Sequence, residues 1–274
     1  MNNQIEKLDY ELRFILAITR NLPQLRGMIR LGKIFCDLYL RKVHSNITID
    51  VLGFKMRLAP HESFSNSACL FFPQLYDYRE VRFLRKNLKP GDIFIDIGAH
   101  IGFYSLIASQ LVGESGKVLA VEADPHTYQQ LTDNLQLNNI QNIAYFNYGV
   151  SEKIETLELV IDTRQRGKSS FLRQEGEKIA IQCYPLEEII KKAGLNGQKI
   201  KGIKIDIEGF EYKAIKPYLQ NSDKKNLPDF FLVEYNKEVY QNKLADLLKV
   251  KGYVLHKKIG SNRIYIKKLY EQKN

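Results

Sequence analysis

The residues most able to do chemistry follow a continuous apolar run, Asp92–Ile97, in the segment Asp96–Gly102 (DIGAHIG). The run is typical of a buried strand, and the residues after it, from Gly98 to Val112, can form a helix. Glycines at the junction let the backbone approach a ligand, and the unpaired N–H groups of a helix N-terminus can receive a polar group. The pattern predicts a cofactor-binding turn. We assign cofactor binding to five of its residues: Asp96, Gly98, Ala99, His100 and Gly102.

The spacing of these glycines argues against a dinucleotide. The dinucleotide fingerprint GxGxxG requires a glycine at the position that His100 occupies here. A carboxylate at the strand end, Asp96, is unfavourable beside a pyrophosphate but favourable beside a cationic or amino-bearing ligand. S-adenosylmethionine carries a sulfonium and an ammonium group, so the pattern favours it over a dinucleotide.

A second acidic residue, Glu122, ends the next predicted strand, Lys117–Glu122, 24 residues after Gly98. A carboxylate there can accept hydrogen bonds from both hydroxyls of a ribose, which fits NAD as well as S-adenosylmethionine. Asp124 stands directly before Pro125, so it either contacts the cofactor or caps a helix that begins there. We include Glu122 and Asp124 among the cofactor-binding residues.

Two further strand ends carry polar residues. Tyr148 and Gly149 follow the third predicted strand, Ile143–Asn147, where they would face an adenine. Asp206 and Glu208 stand at the carboxyl end of the fourth predicted strand, where open α/β sheets place ligand chemistry. We assign catalysis to Asp206 and Glu208, and cofactor contact to Asp206 as well. The alternative is that both carboxylates only stabilise the start of the next helix.

Strand and helix patterns alternate from residue 92 onward, which predicts a mostly parallel sheet with helices on both faces. The other predicted elements are strands Ile200–Ile207 and Asp229–Glu234, helices Tyr78–Leu88, Pro125–Leu137 and Tyr212–Leu219, and a closing hairpin of Tyr253–Lys258 and Arg263–Lys267. Extra strand patterns at Thr156–Asp162 and Lys178–Cys183 form an insertion, which we expect along the sheet edge or over the ligand cleft. Its polar loop contains Lys168–Phe171, a candidate lid or acceptor contact.

Three segments, in this order, carry a family resemblance: Phe94–Ser105, Val121–Pro125 and Ile203–Glu211. Together they resemble the FkbM family of S-adenosylmethionine-dependent methyltransferases, over about Tyr78–Lys267. The resemblance implies an α/β class I methyltransferase fold, Rossmann-like and doubly wound, with a mostly parallel seven-stranded sheet whose last strand is antiparallel. It also implies S-adenosylmethionine as the cofactor and methyl transfer as the activity.

The resemblance implies roles for particular residues. It makes Glu122 the ribose-binding acid and places Asp206 and Glu208 beside the methyl-transfer site. The first cofactor loop corresponds to Asp96, Gly98, Ala99 and Gly102. The segment Tyr184–Glu188 departs from the family, which commonly has Thr-Leu-Asp there, so we assign no function to Glu187.

Residues 1–77 are predicted to form a helical arm and a β-hairpin in front of a methyltransferase domain at 78–274. Two helical segments flank Pro23, and the hairpin is predicted at Ile47–Leu58. The second helical segment places apolar residues at near-helical spacing between four basic ones: Arg26, Arg30, Lys33 and Arg41. We favour packing of the arm on the catalytic body, or on a second subunit of a homo-oligomer, over binding to a membrane surface.

Lys and Arg exceed Asp and Glu by 10, and the excess lies at the ends of the chain. Residues 1–57 hold 10 basic and 5 acidic residues, and residues 251–274 hold 7 and 1. Such ends attract anionic partners such as phospholipid or nucleic acid. However, aromatic residues do not alternate with the basic residues at these ends, and base-methylating motifs such as NPPY are absent. Both observations argue against nucleic acid as the substrate. We therefore expect a small-molecule or glycan acceptor. The alternatives are a nucleic-acid methyltransferase and a non-catalytic protein that docks at membranes through its arm.

A sugar-type hydroxyl must lose a proton during methyl transfer, which requires a base. Our order of preference is Asp206, Glu208, His100 and Glu234. Glu234 could also join Asp206 in binding Mg²⁺, as in metal-assisted O-methyltransferases. We do not favour a metal and assign no metal ligands.

We expect a cytoplasmic protein, at most peripheral to the membrane. The three cysteines are widely spaced, and the N-terminus has neither a signal sequence nor a membrane-spanning apolar stretch.

Overall fold

The computed structural model describes residues 9–23, 27, 28, 34, 36, 37, 39, 40, 46–163, 165–223, 226–235 and 241–268. Its helices are α1 (Tyr10–Thr19), α2 (Phe64–Phe71), α3 (Tyr78–Asn87), α4 (Phe103–Val112), α5 (Pro125–Leu137), α6 (Leu186–Lys192), α7 (Glu211–Asn221) and α8 (Gln241–Val250). Its strands are β1 (Ile47–Val51), β2 (Phe54–Leu58), β3 (Ile93–Ile97), β4 (Lys117–Val121), β5 (Ile143–Phe146), β6 (Gly149–Val150), β7 (Glu155–Ile161), β8 (Glu177–Tyr184), β9 (Gly202–Ile205), β10 (Phe230–Glu234), β11 (Tyr253–Ile259) and β12 (Asn262–Lys267).

Seven strands form the central sheet, in the order β11-β12-β10-β9-β3-β4-β5. Strands β10, β9, β3, β4 and β5 are parallel to one another, whereas β12 runs antiparallel to both β10 and β11. Every residue of β3 is buried, as its continuous apolar sequence requires for a strand covered on both faces. The expected doubly wound sheet with an antiparallel last strand is confirmed.

The turn after β3 differs from the prediction, because the helix begins at Phe103 and not at Gly98. Gly98, His100 and Gly102 all have a positive φ, of 75°, 51° and 88°. A right-handed helix requires a negative φ, so these residues form a loop that leads into α4. Helices α2, α6 and α8 were not predicted.

The described part of the N-terminal arm packs on the body of the protein. Helix α1 buries Leu12, Leu16 and Thr19. Arg20, at its end, donates hydrogen bonds to the backbone oxygens of Leu70 (2.9 Å) and Asp50 (2.7 Å). The basic residues of the second predicted helical segment, at 26, 30, 33 and 41, lie outside the described residues. The structure therefore shows that α1 packs on the body of the protein.

The predicted hairpin, β1 and β2, lies against α5. The backbone N–H of Arg57 donates to Asn134 Oδ1 (2.7 Å), and that of Lys55 donates to Asn138 Oδ1 (2.9 Å). Buried side chains of α1, the hairpin and α2 share one hydrophobic cluster with β3 and α4. The domain boundary at residue 78 stays a prediction, and the core is continuous across it.

The predicted insertion is a small separate sheet, ordered β6-β8-β7. Strand β8 is antiparallel to β7 and parallel to β6. A single 3-10 turn, Arg166–Lys168, lies in the loop between β7 and β8. In the described part of the chain, no helix has the length and apolar character needed to cross a membrane.

Gly98 allows the ends of β3 and β9 to lie side by side, since a Cβ at this position would overlap the backbone oxygen of Asp206. We expect Gly98→Ala to lower the free energy of unfolding by at least about 3 kcal/mol, from left-handed strain and overpacking together. Gly53→Ala is the matched control, because Gly53 has a similar φ of 96° with nothing within 4 Å of an added Cβ. Its loss should be only about 1 kcal/mol. Urea denaturation measures both, and equal losses would contradict the role given to Gly98.

Candidate active site

A cavity opens at the carboxyl ends of β3, β4 and β9, enclosing about 910 Å³ of empty space including its mouth. This is the edge at which the sequence places ligand chemistry. Nine of the predicted site residues line the cavity: Gly98, Ala99, His100, Glu122, Asp124, Tyr148, Gly149, Asp206 and Glu208. Two others, Asp96 and Gly102, are not among its lining residues.

Glu122 holds the cofactor loop in place. One carboxylate oxygen accepts the backbone N–H of His100 (2.8 Å) and the other accepts that of Asp124 (2.9 Å). Burial raises the pKa of Glu122 to about 7, although the two N–H groups favour its charged form. Each oxygen keeps further acceptor capacity toward the cavity, so the side chain can still receive ribose hydroxyls.

Asp124 has the capping role, one of the two roles that the sequence left open. Its Oδ1 accepts the backbone N–H of His126 (2.9 Å), which makes it the N-cap of α5, and Pro125 occupies the first helical position. The same carboxylate also lines the cavity and pairs with Arg166 at 3.0 Å. The capping role is therefore observed, while contact with a cofactor stays a prediction.

Asp96 does not face the cavity, contrary to its predicted contact with a cationic ligand. Its side chain is fully buried, and Oδ2 accepts a hydrogen bond from Ser105 Oγ (2.7 Å). Because Asp96 lies within β3, its side chain points into the sheet–helix interior rather than out of the strand end. Its influence on the cavity passes through Lys204.

Gly102 has a packing role, and its contact with a cofactor stays a prediction. A Cβ at this position would lie 2.7 Å from a methyl carbon of Leu131, on α5. The glycine therefore lets the start of α4 lie against α5.

Lys204 is a buried cation between two carboxylates. Its Nζ lies 3.6 Å from Asp96 Oδ1 and 3.1 Å from Asp206 Oδ2, and donates to the backbone oxygen of Gly98 (3.4 Å). Burial acts to lower the pKa of Lys204, but Asp206 and Asp96 outweigh it and hold that pKa above its usual range. Lys204 is therefore charged at every physiological pH.

His100 faces the cavity as a neutral imidazole. Burial lowers the pKa of His100 to about 4, so it carries no charge at neutral pH. Its Nδ1 is buried and has no hydrogen-bond partner in the described part of the chain. A neutral ring nitrogen of this kind can accept or donate one hydrogen bond to a ligand.

One part of the cavity lining is aromatic and apolar. Tyr148 lines it, with its ring stacked on Phe146 (centroids 5.4 Å apart, 9° between planes) and tilted against Tyr184 (4.6 Å). Val150 and Leu159 complete this part. Glu122 lines the same cavity, and an aromatic and apolar wall of this kind suits an adenine, whose contact with Tyr148 stays a prediction.

The turn after β9 presents two carboxylates to the cavity, Asp206 and Glu208. Buried Glu211 fixes this turn, because its Oε1 accepts the backbone N–H groups of Ile207 (3.2 Å) and Gly209 (3.1 Å). Ser170 Oγ, from the insertion, donates to the backbone oxygen of Glu208 (2.8 Å).

The two carboxylates have opposite pKa shifts. Burial acts to raise the pKa of Asp206, but the ammonium of Lys204 and the hydrogen bond with Glu234 together outweigh it, and the net shift is downward. Burial, followed by the negative charges of Asp206 and Glu211, raises the pKa of Glu208 to about 7. Adjacent acids with separated pKa values are typical of acid–base sites.

Three carboxyl groups come together here among the described residues: Asp206, Glu208 and Glu234, with one oxygen of each within 4.8 Å of the others. Burial, followed by the charges of Asp206 and Glu208, raises the pKa of Glu234 to about 9, and Glu234 shares a hydrogen bond with Asp206. The nearby ammonium of Lys204, 3.1 Å from Asp206, opposes cation binding. The group fits Mg²⁺ poorly, and we assign no metal to it.

Sequence reasoning missed a second wall of the cavity. Ser65 and Tyr76 come from the N-terminal segment, and Phe103 and Tyr104 come from the first turn of α4. Tyr76 donates a hydrogen bond to Ser65 Oγ (2.9 Å), and its ring centroid lies 5.0 Å from that of Phe103. No local pattern distinguishes these residues from ordinary core positions. Lys204, like Phe103 and Tyr104, stands inside a segment that carries the resemblance, Ile203–Glu211 for the lysine and Phe94–Ser105 for the two aromatic residues.

The insertion lies over the cavity, as expected. Arg166, Gly167, Ser169 and Phe171 all line it. Ser169 and Phe171 belong to the Lys168–Phe171 stretch predicted as a lid or acceptor contact.

The model of the Methyltransferase FkbM domain matches residues 96–255, which is more than half of the chain. The chain belongs to the FkbM methyltransferase family. The match confirms the resemblance that the three ordered motifs carry, and this family membership supports S-adenosylmethionine as the cofactor.

Two curated relatives illustrate how far this FkbM-family protein resembles others. It is 27% identical over 139 residues to a protein-L-isoaspartate O-methyltransferase of Fervidobacterium nodosum, a match that covers 51% of this chain and 61% of the relative. It is 29% identical over 98 residues to a probable cobalt-precorrin-6B C(15)-methyltransferase of Sulfolobus acidocaldarius, covering 35% and 51%. The chain thus spans about half to three-fifths of the length of these relatives.

Solved structures resemble the FkbM-family chain at lower identity. A precorrin-6y C5,15-methyltransferase of Geobacter metallireducens superposes with a TM-score of 0.42 at 15% identity, covering 72% of this chain and 90% of that one. Fibrillarin of Aeropyrum pernix, with natively bound S-adenosylmethionine, has a TM-score of 0.41 at 11% identity, covering 69% and 73%.

The cavity fits S-adenosylmethionine by the charges of its walls. Four carboxylates line it, and the two lining cations are already paired, Arg166 with Asp124 and Lys204 with Asp206. A sulfonium and an ammonium are favoured in such surroundings, and a pyrophosphate is not. Glu122 and Tyr148 would hold the adenosine part, and Asp206 would face the cationic part.

We expect Glu122→Gln to weaken the binding of S-adenosylhomocysteine by about 10- to 100-fold, the cost of losing hydrogen bonds to a charged group. An amide cannot accept both the His100 and the Asp124 N–H, so the loop would also lose one of its two fixed contacts. Isothermal titration calorimetry measures the affinity. Glu114→Gln, at an exposed position after α4, is the control and should match the wild type. Unchanged affinity in Glu122→Gln would contradict the assigned role.

Proposed function

We propose that the protein methylates a hydroxyl group of a sugar, a glycan or glycolipid precursor, or a secondary metabolite. The observation that carries this proposal is the position and pKa of Glu208. Its carboxyl group lines the cavity, and burial, followed by the charges of Asp206 and Glu211, raises its pKa to about 7. A hydroxyl acceptor requires a base whose pKa lies near the working pH, whereas a carboxylate acceptor requires none.

Glu208 replaces Asp206 as our preferred base. Lys204 stabilises the charged form of Asp206, so that carboxylate is a weak proton acceptor. We give Asp206 the role of a fixed negative charge beside the cofactor, and Glu208 the role of removing the proton from the acceptor. His100 is a poorer base because burial lowers its pKa to about 4.

Methyl transfer is an in-line displacement, so alignment of the two substrates supplies much of the acceleration. When bound, S-adenosylmethionine supplies an electrophilic methyl group on its sulfonium sulfur. Glu122 and the loop that it holds orient the adenosine, while Asp206 orients the cationic end. Glu208 accepts the hydroxyl proton as the oxygen attacks, and passes it to solvent afterwards.

The walls around Glu208 support a small polar acceptor. Tyr76, Phe103 and Tyr104 supply aromatic faces, and Ser65 and Ser169 supply hydroxyl groups. Aromatic faces with a few hydrogen-bonding groups suit a sugar ring or a comparable polyol. The insertion over the cavity favours an acceptor small enough to fit beneath it.

The rate of methyl transfer should rise with pH through about 7 and level off above it, because Glu208 acts only when deprotonated. Below that pH, kcat/KM should fall about tenfold per pH unit, as a single required deprotonation predicts. The measurement is S-adenosylhomocysteine formation across pH 5–9 with panels of sugars, nucleotide sugars and polyols. A flat profile would contradict the base.

Glu208→Gln should remove the pH dependence and lower kcat by about 100- to 10,000-fold, the usual contribution of a positioned base. Glu175→Gln, at an exposed position in the same insertion, is the control and should keep the wild-type profile. Mild alkali then identifies the product, since a methyl ether survives it and a methyl ester does not. Labelled product in a carboxyl ester, or in RNA or DNA, would contradict the proposed acceptor class.

A further inference from the structure

One turn of the insertion rests on the N-terminal segment across the mouth of the cavity. The backbone N–H of Arg166 donates to the backbone oxygen of Glu62 (2.8 Å). The backbone N–H of Phe64 donates to the side chain of Gln165 (3.1 Å). These contacts join parts of the chain about 100 residues apart, so the cavity is closed on this side only when the two parts meet.

The inner face of the same turn touches the cofactor-binding wall. Nη1 of Arg166 lies 3.0 and 3.2 Å from the two carboxylate oxygens of Asp124, and only 22% of the arginine side chain is exposed. Gly167 lies close to the loop, since a Cβ there would be in van der Waals contact with His100 Nε2, at 3.4 Å. The turn therefore closes directly over the loop and the helix start that hold the adenosine.

The surface on which the turn rests is anchored independently of it. The Glu62 carboxylate contacts Nε2 of His126 (2.7 Å) and accepts a hydrogen bond from Gln130, both on α5. Ser63 caps α2, since its side chain accepts the backbone N–H of Asn66 (3.2 Å). Glu62 and Ser63 are thus tied to helices whether or not the turn is present. Of the two parts in contact, the turn is therefore the one that can move away from the cavity.

We propose that the turn 165–169 is the gate through which the cofactor enters and leaves, and that Arg166 is the positioning residue that keeps it closed. Opening requires the Arg166–Asp124 ion pair and the two contacts with Glu62 and Phe64 to break together. The gate concerns the cofactor alone and is independent of which molecule accepts the methyl group.

Arg166→Ala should release S-adenosylhomocysteine at least about tenfold faster than the wild type, because loss of a partly buried charge pair acts mainly on dissociation. Protein loaded with labelled S-adenosylhomocysteine is chased with an excess of unlabelled compound. Arg166→Lys should restore part of the slow release by keeping the charge. Lys178→Ala is the matched control, because Lys178 lies in the same insertion, pairs with Glu158 at 2.9 Å and does not line the cavity.

A second pair of substitutions locks the gate. An ideal Cβ on Gly167 lies 3.9 Å from Cβ of Ser63, within the range that a disulfide spans. Gly167 also has no positive φ that would oppose a side chain. Oxidised Ser63→Cys/Gly167→Cys should retain preloaded S-adenosylhomocysteine at least about tenfold longer than the same protein after reduction. The single variants Ser63→Cys and Gly167→Cys are the controls, and each should release S-adenosylhomocysteine at the same rate whether oxidised or reduced.

The outcomes separate the gate from the cofactor assignment. If wild-type protein binds S-adenosylhomocysteine but Arg166→Ala releases it no faster, or if the oxidised and reduced double variant release it equally, the gate is wrong. Failure of the two cysteines to oxidise would show that the turn does not rest on Ser63, and would overturn the closed arrangement. Absence of any binding to the wild type would instead contradict the cofactor. Faster release in Arg166→Ala with an unchanged melting temperature would exclude general destabilisation.

Discussion

The buried ammonium of Lys204 is the interaction on which the site depends. It lies opposite Asp96 in the pairing of β9 with β3, and it is within 3.6 Å of Asp96 and 3.1 Å of Asp206. Without it, Asp96 would be a charge with no exposed surface and no compensating cation, an arrangement that costs about 3–5 kcal/mol when a buried pair loses one partner. The same ammonium also keeps Asp206 charged. The Lys204 side chain thus compensates a buried charge between β3 and β9, and it also stabilises the negative charge of Asp206, which lines the cavity.

Two other acids fix the backbone around the cavity in the same way. Glu122 accepts two backbone N–H groups from the loops after β3 and β4, and Glu211 accepts two from the turn after β9. In each case a buried carboxylate is stabilised by N–H groups that would otherwise lack partners. The loops that meet a ligand are therefore held in position before it arrives, which is the condition for electrostatic catalysis.

The cavity is completed by parts of the chain that lie outside the alternating strands and helices. Ser65 and Tyr76 come from the segment before α3, and Arg166, Gly167 and Ser169 come from the insertion. These two parts touch each other at residues that line the cavity or stand beside its lining. The central sheet therefore supplies one wall of the cavity, and the additions supply the other.

The sequence alone determined the sheet and the place of the site. Continuous apolar runs such as Ile93–Ile97 can only be strands buried on both faces, and carboxyl ends of parallel strands meet at one edge, so Glu122, Asp206 and Glu208 had to come together. The tertiary structure decided what the local pattern does not contain. It placed Lys204 beside Asp96, because the residue that lies opposite Asp96 depends on the register between β3 and β9. It also gave Asp206 and Glu208 opposite pKa shifts, since those depend on burial and on how closely Lys204, Asp206 and Glu211 approach one another in the folded turn. The wall from the N-terminal segment and the turn over the cavity depend on contacts about 100 residues apart, for which no local spacing gives a signal.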